Sequence, residues 1–318
     1  ICNISIVYLR KTITILRGKP MPIIMELNEN YSEKICYDIP QYPAYIRRGL
    51  LSQYPNYSAP NHWHDDIELI AVLSGEMEYS VNGELLELKK GQGLLVNAGQ
   101  MHFGFSHQKK ECDFVCVLLH PVLLCPLPSY ERDFVNPVIH NKGLPYLLLK
   151  PEIPWEKDIY DKILYLYDIR KEKTAPLKIL AAFARIWELL CENISADKNP
   201  AEKNIQENRD LVIVKNMARF IQKNYMEKIS LADIAASGAV GQSKCCKLFA
   251  RFFFQSPTMY LTQHRLTKSM ELLLNTDLPI IEIALSVGFS SASYYTETFR
   301  KWMGKTPSEF RKSRISQV

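Results

Sequence analysis

The chain has 318 residues, 47% of them hydrophobic and 23% charged, with a formal net charge of +5. That length and apolar content suffice for two domains with separate cores and exclude a disordered chain. No run approaches the roughly eighteen apolar residues of a membrane-spanning helix. The 8 cysteines form no C-x-x-C pair and no regular framework, so free thiols in a reducing cytoplasm are expected.

Residues 1–24 are apolar but interrupted by Arg10-Lys11 and by Arg17-Gly18-Lys19-Pro20, an order unlike that of a signal peptide. They are expected to be a poorly ordered tail, or sequence upstream of a natural start at Met25. From Tyr37 to Val117, short β-branched and aromatic runs alternate with turn signals at Asn82-Gly83, Gly91-Gln92-Gly93 and Asn97-Ala98-Gly99. This spacing predicts an antiparallel sandwich or barrel. Asn82-Gly83, between residues 78–81 and 85–88, predicts a two-residue hairpin.

The polar centre of this region is His62-Trp63-His64-Asp65-Asp66-Ile67-Glu68. Alternate residues of a strand share a face, so His62, His64, Asp66 and Glu68 are expected to point together into the barrel. His102 follows the turn at Asn97-Ala98-Gly99. Three His and one Glu are the ligand types of a mononuclear transition-metal site. They are also hydrogen-bonding groups suited to a small polar ligand, or to bonds made only within the barrel. Trp63 and Trp155 are able to stack on a sugar ring, although tryptophans more often pack in cores.

The pattern resembles the cupin family. Its first motif is matched by His62, His64, Glu68 and Gly75, and its second by Gly91, Gly99 and His102. Asn97 replaces the usual proline, Ser106 a later asparagine, and Asn56 an early glycine. The resemblance implies a small β-barrel with a ligand in its mouth, at His62, His64, Glu68 and His102, with a divalent metal as a possible occupant of the same four residues.

Residues 155–193 predict two helices. Ile159, Ile163, Leu166 and Tyr167 form one apolar stripe, and Leu177, Leu180, Phe183, Ala184, Trp187, Leu190 and Cys191 the other. Pro176 suits the start of the second helix. The pair is expected to pack on the barrel, form a dimer interface, or both. Residues 195–208 are rich in Lys, Asn and Glu, with Pro200, and are expected to be a flexible linker. The first domain is therefore placed at 25–194 and the second at 209–318.

The second domain holds two similar segments, at 229–253 and 279–302. Each reads as a short apolar-faced helix, a tight turn and a second helix, and a helical stretch over 258–274 joins them. Ser230 with Asp233 is a capping-box-like start, Pro279 suits a first turn, and Gly288 suits the positive φ that ends a helix. Cys245, Leu248, Phe249 and Phe252 share one face of the first unit's second helix, and Tyr295, Phe299 and Trp302 that of the other. Gln242, Ser243, Cys246 and Lys247 face outward in the first. Ser291, Ala292, Thr296 and Glu297 do so in the second, with Arg300 a turn further on. A helix with a small, polar outer face fits the major groove of double-stranded DNA. The charge agrees: residues 208–318 carry 16 Lys+Arg against 8 Asp+Glu, and residues 1–207 carry 23 against 26.

Residues 209–312 resemble the DNA-binding domain of AraC/XylS-type transcription regulators. The motif is carried by 280–290, by 294–301, by Gly304-Lys305-Thr306-Pro307 and by Phe310-Arg311. A cupin-like barrel is also the usual sensor of sugar-responsive regulators of this type. The joint resemblance implies an α+β chain: a cupin-like antiparallel β-barrel followed by helices, then an all-α tandem helix-turn-helix domain. It implies a cytoplasmic, non-enzymatic regulator that senses a small molecule, expected to be a sugar. It further implies a homodimer with RNA polymerase as a partner and activation as the expected mode. Gln242, Ser243, Lys244, Cys246 and Lys247 are the expected DNA contacts of the first unit. Ser291, Ala292, Ser293, Thr296 and Glu297 are those of the second, with Arg300 on phosphate. Four positions depart from the family pattern: Phe254 stands in place of a glycine, Cys245-Cys246 replace a larger apolar and a polar residue, and Glu297 replaces a basic one. The competing readings are a metal-dependent cupin enzyme with a DNA-binding appendage, and a DNA-repair protein using Cys36 as nucleophile.

Overall fold

The computed structural model describes residues 28, 32–38, 41–194 and 202–315, without the side chains of 202–208 and 313–315. The expected tail at 1–24 lies outside these residues, as does 195–201. Seven antiparallel strands form the N-terminal domain: β1 (Ala44–Leu50), β2 (Ile67–Val81), β3 (Glu84–Lys89), β4 (Gly93–Val96), β5 (His102–Phe105), β6 (Cys112–Leu119) and β7 (Tyr146–Leu149). The 15-residue β2 is the spine. Its first half pairs with β4 and β6, and its second with β3 and β5. A bulge between Val72 and Ser74 lets one strand serve both sets. Gly75 follows at φ +76°, and a Cβ there would lie 2.1 Å from the Glu111 carbonyl oxygen. The ladder runs β1-β6-β2-β4-β7 and stops, so the antiparallel sheet is present but does not close into a hydrogen-bonded barrel. The Asn82-Gly83 hairpin joins β2 to β3, as its dipeptide predicts.

Ile67, Leu69, Val115 and Val117 cover one face of the sheet and pack on α3 (Pro154–Ile169) and α4 (Ala175–Asn193) through Ile159, Ile163 and Phe183. Ile70, Val72, Tyr79, Leu88 and Val96 form the inner core. Between β6 and β7 the chain makes a short turn at Pro121–Leu124 and then one helical run, in which α1 (Pro128–Tyr130) continues through the wider turn Glu131–Val135 into α2 (Asn136–Ile139). Buried Asn97, the proline replacement, holds this segment by donating from Nδ2 to the carbonyls of Val138 at 3.0 Å and Leu144 at 2.9 Å. In α4 the expected apolar stripe divides. Phe183, Trp187 and Leu190 are buried, whereas Leu177 is 71% exposed and Leu180 40%.

The C-terminal half is helical throughout. Helix α5 (Glu202–Asn224) begins inside the segment expected to be linker up to 208, which corrects that boundary. Few apolar residues there suggested a linker, but its straight-chain Glu, Lys and Gln are good helix formers. Helices α6 (Leu231–Ser237) and α7 (Gln242–Phe253) form one helix-turn-helix, and α9 (Ile280–Ser286) and α10 (Ala292–Met303) the second. Helix α8 (Pro257–Asn275) joins them, and α11 (Pro307–Ile315) closes the second unit. Ser230 and Asp233 form the expected capping box. Gly288 takes φ +89° against the Tyr225 carbonyl, 2.5 Å from where a Cβ would be. Each unit has its own core, one around Phe249 and Phe252, the other around Tyr295 and Phe299.

Candidate functional site

His62 and His102 are joined by a β-bridge, with N–H donation both ways at 3.2 and 2.9 Å. His64 follows two residues on, and Glu68 is the second residue of β2. The ligand atoms of His62, His64, Glu68 and His102 all lie within 4.8 Å of one another. All but His62 are buried. Asp66 departs from the expected alternation. The chain bends at Asp65-Asp66, and the Asp66 carboxylate accepts from the Tyr37 hydroxyl at 2.9 Å instead of joining the cluster.

Each imidazole has its Nδ1 against a backbone carbonyl: His62 on Pro60 at 2.8 Å, His64 on Asp66 at 3.1 Å and His102 on Gln100 at 2.9 Å. A carbonyl only accepts, so Nδ1 carries the proton, and in the neutral ring Nε2 presents its lone pair. Those Nε2 atoms meet carboxylates. The Glu68 Oε2 lies 3.2 Å from His64 and 2.7 Å from His102, and Glu33 Oε2 lies 3.3 Å from His62. Acceptor therefore faces acceptor unless a proton or a cation stands between them. Burial, then the neighbouring His102 and His64, hold the His62 pKa well below its usual range. Burial alone would raise Glu68, but His102 and His64 pull it well below the carboxylate range. Glu33 rises to about 7, chiefly through burial. Burial opposes a charge on His64 as well, but the Glu68 carboxylate raises its pKa, so a proton on that ring or a divalent cation fits between the two.

The helix surfaces expected to read DNA are separate from this cluster. In α7, Gln242, Ser243, Lys244 and Lys247 are exposed and Cys246 is half-buried, while Cys245, Leu248 and Phe249 face the core. Lys244 pairs with Asp210 of α5 at 3.1 Å, at one end of a groove lined by Ser243, Lys247 and Arg251. In α10, Ser293, Glu297 and Arg300 are exposed, and Ala292 and Thr296 are half-buried. Ser291 caps the helix by accepting from the Tyr294 N–H at 3.2 Å. Tyr294, 52% exposed on the same surface, did not stand out in the sequence because an aromatic there reads equally as core.

Residues 47–127 match the family model described as an AraC-like ligand binding domain, and residues 234–313 match one described as a helix-turn-helix domain. The virulence regulon transcriptional activator VirF of Yersinia enterocolitica is 31% identical over 270 residues, covering 82% of this chain and 94% of that protein. The chain belongs to the AraC family of transcription regulators. The uncharacterized regulator YdeC of Bacillus subtilis is 28% identical over 288 residues, 90% of this chain and 97% of that one. The melibiose operon regulatory protein of Escherichia coli K12 is 25% identical over 277 residues, 85% of this chain and 89% of that one. The protein is a DNA-binding regulator with a ligand-binding domain. Among the described residues no helix is long and apolar enough to cross a membrane.

In this AraC-family chain the residues between the histidines face the other way. Trp63 and Met101 belong to the core of the first helix-turn-helix unit, with Leu211, Val214 and Phe252. Lys215 and Arg219 of α5 lie over the Trp63 ring at 5.2 and 5.8 Å, and Lys215 also donates to the Gly99 carbonyl. Burial, reinforced by Arg219, lowers Lys215 to about 8. Trp63 is therefore core, not a sugar platform, and half-buried Trp155 packs on the sheet's helical face. The sequence also missed Tyr79, whose hydroxyl donates to Glu68 at 2.8 Å. Unbroken alternation puts residues 68 and 79 on opposite faces; the bulge at Val72/Ser74 adds one residue and returns Tyr79 to the face of Glu68.

Proposed function

We propose that this regulator senses a hydroxyl-rich small molecule, a carbohydrate, in its sheet domain. In this reading a divalent transition-metal ion is held there by His62, His64, Glu68 and His102. The observation that carries the metal is the set of three Nδ1 protons fixed on carbonyls, which leaves the Nε2 lone pairs directed at carboxylates. Such an ion supplies positive charge against Glu68 and, in an octahedral set, positions for hydroxyl oxygens. The carbohydrate class is supported by the partial likeness to the melibiose operon regulator. A homodimer is supported by Leu177 and Leu180, which leave an apolar stripe exposed on α4. RNA polymerase is the partner through which bound DNA would be read out.

The test is metal analysis of dialysed protein and of His64→Ala, followed by DNA binding with and without a sugar panel. We expect about one ion per chain in the parent, loss of it in the variant, and a sugar that shifts DNA affinity several-fold. A metal-free parent, indifferent to chelators and to every sugar, sinks the proposal and leaves only the regulator. Sedimentation with Leu177→Glu tests the dimer: the parent should be dimeric and the variant monomeric.

A further inference from the structure

Resting on the metal reading above, we propose that Glu33 is a fifth protein donor to the ion, so that loading the cation tightens the docking of residues 32–38. Glu33 lies outside both cupin motifs and reaches the cluster from a separate N-terminal segment. Its Oε2 stands 3.3 Å from Nε2 of His62, on the inward edge of the ring. Two donors at about 2.1 Å from one ion and at right angles are about 3 Å apart, so the Glu33–His62 pair has the spacing of neighbouring ligands, while Glu33 stands beside the four residues whose ligand atoms all lie within 4.8 Å of one another. The segment is held in place by its backbone. The Glu33 N–H donates to the Trp63 carbonyl at 2.8 Å, and Asn28 Nδ2 donates to the Glu33 carbonyl at 3.0 Å.

Charge favours the same assignment. His62, His64 and His102 as neutral ligands with Glu68 alone leave a dication one positive charge in excess inside the protein. Glu33 brings the site to neutrality, and an uncompensated buried charge is costly. Without a cation, each contact between a carboxylate and an Nε2 needs a proton in its place. The chemistry is that of a first-row divalent ion with nitrogen and oxygen ligands, such as Ni²⁺ or Zn²⁺.

Titration calorimetry of the full chain with Ni²⁺ and Zn²⁺ tests this, with hydrogen exchange at residues 32–38 as a second readout. Glu33→Gln keeps the size and removes the negative charge; Glu33→Asp keeps the charge and shortens the reach. The parent should bind one ion and slow exchange over 32–38. Both variants should bind the ion about 10- to 100-fold more weakly, a loss of the order seen when groups supporting a metal are removed. In neither should the metal slow exchange over 32–38. If the parent binds one ion and both variants match it within about twofold, Glu33 is not a donor and the four-residue site stands without it. If Asp matches the parent while Gln does not, Glu33 acts only as a nearby charge, which overturns ligation. A parent that binds no ion removes the metal reading and this inference with it.

Discussion

Phe254 closes α7 in the left-handed region at φ 55°, where the family pattern has glycine. That backbone costs a bulky residue about 1 kcal/mol or more relative to glycine. The ring lies 5.9 Å from Phe103 and 6.2 Å from Phe105 of β5, and aromatic pairs of this kind contribute about 0.5–1.5 kcal/mol. The two effects nearly cancel in the full chain, whereas only the strain remains in a 202–318 fragment. Phe254→Gly is therefore expected to raise the melting temperature of the fragment by several degrees and leave the full chain nearly unchanged. An equal gain in both would show that the ring contacts contribute nothing. A second residue sets a pH dependence. Burial, then the Lys268 charge, lowers His264 to about 3 from 6.5, and its Nε2 has no hydrogen-bond partner among the described residues. Below pH 6.5 the unfolded chain takes up a proton that the folded chain refuses. Stability present above 6.5 is therefore lost as pH falls toward 3, by about 1 kcal/mol per pH unit. Urea midpoints between pH 6.5 and 4.5 should fall more steeply in the parent than in His264→Phe, whose ring replaces the imidazole beside Tyr225. Parallel slopes would place the acid sensitivity elsewhere.

At the scale of elements, α7 presents its charge and polarity in one arc. Lys247 stands on the exposed side with no carboxylate partner in any ion pair of the described residues. Lys247→Ala should weaken binding to all sequences alike and reduce the salt slope by about one, as loss of one phosphate contact does. Gln242→Ala should instead relax preference at one base pair, at a cost of about 1–3 kcal/mol for the preferred base. Parent-like binding by both variants would mean that α7 lies differently on DNA. These helices were legible from sequence because what defines them is local. Ser230 and Asp233 are one turn apart, and Cys245, Leu248, Phe249 and Phe252 repeat at helical spacing. The sheet was legible in its hairpin and in its histidines, but not in β7, a short run of Tyr and Leu that alone fits strand or helix. Glu33, Tyr79 and the outward course of Asp66 were hidden for a related reason. Each depends on a bend, a bulge or a distant segment, none of which leaves a periodic trace. Trp63 was ambiguous because its partners, Leu211 and Val214, lie in another domain.

Over the whole molecule, the sheet domain touches both reading units from behind. Asn61 Nδ2 donates to the Phe252 carbonyl at 2.6 Å near the end of α7, and Asn56 Nδ2 to the Trp302 carbonyl at 3.0 Å near the end of α10. The opposite, N-terminal ends of both helices, with Gln242, Ser243 and Ser293, stay exposed. The sheet domain thus adds a brace to two heads already joined by α8 and by Tyr225, which packs on both cores, and bracing lowers the ordering cost of placing both on one DNA face. The segment that supplies the brace also carries the histidine cluster, since Asn61 and Trp63 alternate with His62 and His64. Charge is divided differently: residues 208–318 hold 16 Lys+Arg against 8 Asp+Glu, and residues 1–207 hold 23 against 26. Phosphate contact therefore belongs to the C-terminal half, and geometric restraint to the N-terminal half. A salt series on the full chain and on the 202–318 fragment separates the two. Both should lose affinity with the same slope, about 10³-fold or more between 50 and 200 mM salt if about six phosphates are met. The full chain should bind its own upstream DNA more tightly at every salt. Trp63→Ala should move the full chain toward the fragment's affinity without changing the slope, because it loosens the brace and removes no cation. A slope that changes with Trp63→Ala would mean that the brace decides which lysines and arginines reach the backbone, and an affinity that does not change would mean that α8 and Tyr225 set the two heads without the sheet domain.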